Sequence, residues 1–365
     1  QLFPVLNASA GASRQRKDSH TTDSYEVQAN ATWSWSLVGG NIAAQRAANH
    51  EAMASALTLE DTKVAVASEV AQTYINLRLA RVTLRIARET FENATEAAQI
   101  AQWRAAAGVG TQTEVEQALS NQESARAQIP VCESLIANYR NALARLCVLN
   151  VEAVDTSASD VIPMAPTAIA VSIPAQTMKQ RPDMRSAELS VIAASERVYE
   201  ARSSWFPTLK ITGNLGTQAA TIGALGASGT GIAALIGALT MPILNWGEQV
   251  AATEQKLAAL DKARATYTAT LVKALEETEN ALTGIVAAQR RNDALLRAQE
   301  AAKSAADLAL IEYRSGLTDY QTVLNTQKTL LTARESVQKN AADLSTNFVK
   351  LFAALGGGWK APQTL

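Results

Sequence analysis

Cysteine and histidine are scarce, with two of each in 365 residues. Cys132 and Cys147 are too few for a disulfide framework and both fall in helix-like sequence, while His20 and His50 have no second ligand at metal spacing. Neither a metal centre nor any cofactor is expected. Aromatic residues make up only 5% of the chain against 47% hydrophobic residues, so the apolar content is largely alanine, which suits long helices packed closely rather than a thick core. A net charge of −1 with no run of like charge leaves no concentrated basic face, which excludes nucleic acid as a partner. No uninterrupted apolar run approaches the roughly 20 residues of a membrane-spanning helix, so a membrane crossing would have to use strands. A glycine-rich phosphate loop between strand and helix, a nucleophile elbow and a histidine near a serine or cysteine partner are all missing, so an enzyme reading finds no support.

What the chain does contain is a repeat. Leu2-Phe3-Pro4 returns as Trp205-Phe206-Pro207 at an offset of 203, whereas Gly39 to Gly247 and Gly108 to Gly316 are both offset by 208. Two copies of one supersecondary unit are expected, interleaved in one architecture, with a five-residue insertion early in the second copy. The insertion falls within 217–231, whose density of Gly, Ser and Thr predicts a surface loop.

Each copy opens with alternating residues. Leu6, Ala8, Ala10 and Ala12 alternate with Asn7, Ser9, Gly11 and Ser13; a polar turn is expected over Arg14 to Asp23; then Tyr25, Val27, Ala29, Ala31, Trp33, Trp35 and Leu37 alternate with Glu26, Gln28, Asn30, Thr32, Ser34 and Ser36. Period two predicts one apolar and one polar face. A half-buried hairpin of a soluble sandwich fits this pattern. A lipid-facing barrel strand fits it equally, through the length, the aromatic ends and a polar face uncharged apart from Glu26. Copy two offers Leu209, Ile211, Gly213 and Leu215 against Lys210, Thr212, Asn214 and Gly216, with a weaker return strand over about Ile232 to Ile243. Four strands cannot close a barrel, which takes about eight or more, so other copies must supply the rest.

From Asn41 to about Ala107 there is neither Pro nor Gly, which predicts a helix on the order of 100 Å long. Val70, Leu77, Leu84 and Phe91 recur every seven residues, with Thr73, Ala80, Ala87, Ala94 and Ala101 forming a second, small-residue seam that returns as Ala281, Ala288, Leu295, Ala302 and Ala309. Each rod is interrupted once, at 107–115 and at 315–323, where Gly followed by Thr, Asp or Gln supplies a helix stop and a new N-cap. Apolar periodicity then resumes through Leu143 in one copy and through Leu330, Val337 and Leu351 in the other, which returns the chain antiparallel. The expected organisation is a first repeat over 1–148 (hairpin about 3–37, helices about 41–148), a linker over 149–174, a second repeat over 175–356 (helix 175–204, hairpin about 206–244, helices about 247–355) and a tail over 357–365. The helix that opens copy two at 175–204 is expected in copy one as well, before Leu2, so the start of the chain reads as trimmed.

These residues resemble the outer-membrane factor family of TolC-like export ducts, and within it the NodT-type lipoprotein branch that serves resistance-nodulation-division efflux systems. The carriers are Gln180-Arg181-Pro182-Asp183-Met184-Arg185 with Ala187-Glu188, Phe206-Pro207, Met241-Pro242-Ile243-Leu244 with Gly247, Tyr313-Arg314-Ser315-Gly316 before Asp319-Tyr320, and Ala354-Leu355-Gly356-Gly357-Gly358-Trp359. The resemblance implies a mostly α fold with a small β part: a homotrimer whose strands complete a twelve-stranded transmembrane β-barrel, continued by a long antiparallel α-helical barrel. It implies a passive outer-membrane conduit for drugs and other toxic small molecules, in contact with outer-membrane lipid, served by an inner-membrane pump and a periplasmic adaptor (membrane fusion) protein. By position it implies a periplasmic aperture at Asp319, Tyr320, Thr318, Thr111 and Gln112. It implies adaptor docking at Gly108, Val109, Gly110, Glu114, Gly316 and Leu317, and a lipid-facing set of Tyr25, Val27, Trp33, Trp35, Leu209, Ile211 and Leu215. Three copies of Asp319 near an axis would favour cations and make opening sensitive to pH or salt; Asp319 also fits a plain helix cap. The branch carries a lipid on an N-terminal cysteine, a role neither Cys132 nor Cys147 can take.

Two other readings stay open on sequence. A type I secretion duct shares the tip pattern, although the Arg-Pro-Asp segment and the Gly-Gly-Gly-Trp ending favour the pump branch. A coiled-coil scaffold needs only the rods and leaves the hairpins unexplained.

Overall fold

The computed structural model describes residues 2–17, 20–154, 161–164, 179–244 and 246–357. In chain order these form β1 (Val5–Lys17), β2 (His20–Ser36), α1 (Gly40–Ala106), α2 (Gln112–Cys147), a 3-10 turn (Val151–Ala153), α3 (Pro182–Ser203), β3 (Thr208–Ala219), β4 (Gly231–Thr240), α4 (Trp246–Arg314) and α5 (Tyr320–Ala354). No described helix is long and apolar enough to cross a membrane. The residues group into two compact units, Gln1–Leu59 with Pro182–Leu271 and Glu60–Arg181 with Val272–Leu365, so each unit takes residues from both halves of the chain.

The first unit carries the sheet. Its strands run antiparallel in the order β1-β2-β3-β4, so both hairpins join one sheet through the β2·β3 pairing, and β1 and β4 are edges. The first hairpin is longer than the sequence pattern predicts: Arg14↔Asp23, Gln15↔Thr22, Arg16↔Thr21 and Lys17↔His20 are paired strand residues where a polar turn was expected. The ladder bonds are made by backbone groups, so pairing continues where the apolar alternation stops, and Arg14 and Asp23 add a cross-strand ion pair at 2.5 Å. Likewise β3 extends to Ala219, leaving a shorter loop than 217–231. Strand β4 ends at Thr240, short of Pro242, which has no N–H to give a ladder.

Helix α3 begins at Pro182, where residues 179–181 had been expected to be helical; 175–178 lie outside the described residues. Proline at the first helical position loses no intrahelical bond and disfavours helix in the residue before it. Its approach to α1 requires glycine: a Cβ on Gly40 would lie 1.9 Å from Ser203 Oγ. Arg197 on α3 adds a two-bond pair with Glu51 on α1, at 3.1 and 3.0 Å.

The second unit is helical. The alanines of the small-residue seam, Ala80, Ala87, Ala94 and Ala101 in α1 and Ala281, Ala288, Ala302 and Ala309 in α4, are buried. Thr73 and Leu295, in the same register, are half-buried. Pro130 lies inside α2 without ending it, so packing along a 36-residue helix outweighs the one backbone bond lost there. Pro163 belongs to a short described stretch of the linker whose carbonyl accepts from Ser345 on α5 at 2.6 Å, and Ile162 joins Ile75, Val82, Ile86 and Ala342 in a core. The expected Gly358-Trp359 ending lies outside the described residues.

Arg181, the first residue of the Arg-Pro-Asp segment, is buried and donates to the Ala354 carbonyl at 2.7 Å and to Glu277 at 2.9 Å. It therefore caps the C-terminus of α5 and ties it to α4. Arg181→Ala is expected to cost about 2–3 kcal/mol, because it removes two charge-assisted bonds and leaves an end carbonyl unpaired. Arg181→Lys should recover little, since one ammonium cannot match the fork. Thermal unfolding of the two variants measures both.

Candidate functional site

Two features stand apart from ordinary packing: one face of the sheet, and the turns that join the long helices.

Residues opposite each other in an antiparallel ladder share a face. The register places Leu6, Ala8, Ala10 and Ala12 beside Ala31, Ala29, Val27 and Tyr25, and sets Trp35↔Leu209, Trp33↔Ile211, Ala31↔Gly213 and Ala29↔Leu215. The next strand continues the row with Leu209↔Leu239 and Gly213↔Leu235. All seven residues named as lipid-facing, Tyr25, Val27, Trp33, Trp35, Leu209, Ile211 and Leu215, thus lie on one face, uncharged between Tyr25 and Trp35. Trp33 and Trp35 contact each other at one end, with ring centroids 5.6 Å apart, and Tyr25 marks the other end. The opposite face carries an asparagine row, Asn7↔Asn30↔Asn214, with Gln28, Thr32, Ser34, Lys210 and Thr212. Leu6, Leu215, Leu235 and Leu239 are exposed, an apolar surface that water does not favour.

The helix turns are built alike. Gly108 (φ +76°) and Gly316 (φ +77°) take the left-handed conformation that lets a helix stop, and the next N–H groups bond back: Val109 to the Arg104 carbonyl at 3.0 Å, Leu317 to the Glu312 carbonyl at 2.9 Å. The returning helices start on side-chain caps. Thr111 Oγ1 accepts from the Glu114 N–H at 3.2 Å, and Asp319 Oδ1 accepts from the Thr322 N–H at 2.9 Å and its hydroxyl at 2.7 Å. Those Thr322 bonds hold the Asp319 carboxyl below the usual carboxylate range.

Among the tip residues Val109 and Leu317 are the most exposed apolar side chains, at 66% and 80%. Gly108, Thr111, Gln112, Gly316 and Asp319 are exposed, and Gly110 and Thr318 half-buried. Tyr320 is different. It was placed with the aperture residues, yet it is only 1% exposed, packed with Tyr313, Val115, Ala118, Ala97, Ala101 and Val323. Its ring fills a core shared by the tip ends of all four long helices, so in this chain it is a packing residue. Glu114, placed on the docking surface, has one carboxylate oxygen buried.

That core contains a clasp which sequence reading missed. Tyr313 is fully buried, 5.7 Å from Tyr320 between ring centroids, and Arg104 lies over its ring at 4.7 Å while donating to its carbonyl at 2.8 Å. Arg314 pairs with Glu96. Together these bonds join the end of α1 to the end of α4, residues more than 200 apart in sequence. Burial and the nearby Glu114 carboxylate push the Tyr313 phenol up, so it is neutral, and its hydroxyl, the Tyr320 hydroxyl and the buried Glu114 oxygen make no well-aligned hydrogen bond among the described residues. Tyr313 had appeared in a matched motif; no local pattern marks Arg104 as its partner.

A sheet that is oily on one side and amide-lined on the other, in a chain that also carries alanine-seamed helix pairs, fits a channel through an outer membrane. Residues 1–147 and 173–357 match the outer membrane efflux protein family, and the chain belongs to that family. It is 31% identical over 384 residues to the pyoverdine export outer membrane protein OpmQ of Pseudomonas aeruginosa, covering 99% of this chain and 79% of that protein. It is 27% identical over 370 residues to the toluene efflux pump outer membrane protein TtgF of Pseudomonas putida, covering 98% and 76%. Among solved structures, the outer-membrane channel OprN aligns with a TM-score of 0.88 at 26% identity, over 98% of this chain and 82% of that one. The chain is therefore an outer-membrane component of an efflux system.

Proposed function

We propose that the chain is one third of a passive exit duct. Three copies pair β4 of one with β1 of the next into a twelve-stranded barrel, apolar outside and amide-lined within. The helices carry the lumen through the periplasm to the tips, where a periplasmic adaptor and an inner-membrane pump deliver small toxic molecules, drugs among them. The observation that carries this reading is a four-stranded sheet with both edges unpaired and one face uncharged over the whole span from Trp35 to Tyr25. Open edges invite pairing, and an even number of antiparallel strands per copy lets β4 meet β1 antiparallel at every junction. Cargo selection belongs to the pump: OpmQ is named for pyoverdine and TtgF for toluene, and a wall shared by such different cargoes selects little. Val109 and Leu317 are the contacts assigned to the adaptor, beside a groove of about 950 Å³ lined by Phe91, Ile100, Trp103 and Val109. Thr111, Gln112, Thr318 and Asp319 border the aperture. Purified in detergent, the protein should run as a trimer and give stepwise currents in planar bilayers. A monomer soluble in plain buffer that gives no current would end this reading.

The role of Asp319 separates into charge and cap. Asparagine is as good an N-cap as aspartate, so Asp319→Asn should leave assembly intact and reduce cation preference, whereas Asp319→Ala should lose both preference and cap. A carboxyl lowered in the folded state stabilises above its unfolded value near 3.8 and loses that contribution as pH falls through the lower folded value. Cation preference should therefore stay level between about pH 8 and pH 5. A fall across that window would mean that repulsion within a ring of three carboxylates exceeds the Thr322 bonds.

A further inference from the structure

The uncharged column on β1 does not end in water-facing residues of mixed type. Leu6, Ala8, Ala10 and Ala12 share their face with the next two residues of the same parity, Arg14 and Arg16, opposite Asp23 and Thr21. No charged residue lies on this face below them in any described strand. The two arginines thus close the apolar column at the end of the hairpin away from the helices.

The height of the column sets where they stand. Tyr25 to Trp35 is ten steps at about 3.4 Å, which at a tilt of roughly 40° subtends about 26 Å, matching the apolar band of about 25 Å in outer-membrane barrels. Arg14 then lies about 5 Å and Arg16 about 10 Å beyond Tyr25, the depth of the headgroups. The 220–230 loop of the second hairpin contains no Asp, Glu, Lys or Arg, so the charge at this rim is confined to the first hairpin, where the sequence places Arg14, Arg16, Lys17, Asp18 and Asp23.

Arg14 is held flat by Asp23, with Nε to Oδ1 at 2.5 Å and a terminal nitrogen to Oδ2 at 2.8 Å, and its side chain remains 73% exposed. A guanidinium has five N–H groups, so three remain beyond the two given to Asp23, on a planar group that suits a phosphate. Arg16 is exposed and has no ion pair with another described residue.

We infer that Arg14 and Arg16 form a binding site for the phosphate of an anionic lipid of the outer leaflet, a phosphorylated glycolipid, one site per subunit. The inference rests on the exit-duct reading, which directs this end of the hairpin outward. The phosphate is lipid-borne because the site continues the lipid-facing column: acyl chains lie along Ala8 to Ala12 while the headgroup meets the two cations. A membrane-surface arginine adds attraction of about 1 kcal/mol, or about fivefold in affinity.

The experiment uses the full chain as a detergent-purified oligomer, with bound lipid counted by native mass spectrometry. The probes are lipid A bisphosphate, phosphatidylcholine and inorganic phosphate. Arg16→Gln should weaken lipid A binding about fivefold, and Arg14→Gln with Arg16→Gln about 25-fold if the two act independently. Arg16→Lys should keep most of it, and phosphatidylcholine binding should not change. Arg16→Gln removes an exposed side chain, so folding is not at stake. Equal lipid A binding by wild type and the double variant overturns the inference, as does displacement of the lipid by millimolar inorganic phosphate. Liposome flotation and single-channel currents separate the two levels. A wild type that neither inserts nor conducts sinks the exit-duct reading together with this site. Insertion with normal currents and unaltered lipid A binding in the variants sinks this site alone.

Discussion

Arginine in place of Ala29 will keep the protein out of the outer membrane, whereas arginine in place of Asn30, one residue later, will not. Ala29 sits midway up the apolar face, between Ala8 on β1 and Leu215 on β3. A charge facing lipid at the bilayer midplane costs about 2–4 kcal/mol on a barrel. Three copies would make that about 6–12 kcal/mol per assembly, comparable with the whole stability of many proteins. Asn30 pairs with Asn7 and Asn214 on the other face, where a guanidinium would meet amides and water. The measurement is the amount of heat-modifiable trimer in outer-membrane fractions, with planar-bilayer currents as a second readout. If the two variants assemble equally well, the apolar face does not face lipid. A loss confined to Asn30→Arg would reverse the assignment of the two sides.

The second large effect is expected at the tips. Tyr313→Ala should lower stability by about 3–5 kcal/mol, the range for emptying a buried aromatic position. Tyr313 is fully buried, and its ring supports Tyr320, Val115 and Ala101 from one side and the Arg104 guanidinium from the other. Removing it leaves Arg104 without its ring and loosens the join between the α1 and α4 ends. Cells carrying the variant should then admit bulky glycopeptide antibiotics. Tyr313→Phe should differ sharply, because the hydroxyl it deletes is buried without a strict partner, and losing such a group is near neutral or stabilising. Thermal unfolding and glycopeptide susceptibility, compared across the two variants, provide the test. If Phe is as damaging as Ala, the hydroxyl is bonded in the assembled protein, with the Glu114 carboxylate as its acceptor. If neither variant changes either quantity, the clasp does not hold the tips.

The strands and turns were legible because their causes are local. Period-two alternation in 25–37 has one structural meaning, and a glycine followed by a capping Thr or Asp stops and restarts a helix whatever surrounds it. The same reasoning misplaced Arg14 to Asp23, since it used side-chain alternation to mark a strand whose bonds are made by backbone. It set Tyr320 beside Asp319 at the aperture because adjacent residues were assumed to share a surroundings. On the first turn of a helix they do not: Asp319 stays outside as the cap, and Tyr320 turns inward against Tyr313. Arg181 was visible as part of a motif. Its work, holding the Ala354 carbonyl, was not, because that carbonyl lies 173 residues away.

From the order of residues alone came the paired rods, their alanine seam, the glycine turns and the amphipathic hairpins, because each depends on neighbours within a few residues along the chain. Only the tertiary structure decided that both hairpins share one sheet with β1 and β4 left open, that Arg104 and Tyr313 bind the tips together, and that two arginines cap the oily face. Those outcomes depend on which distant segments approach and in what register, and in the sheet a one-residue change of register would have sent a strand's side chains to the other face.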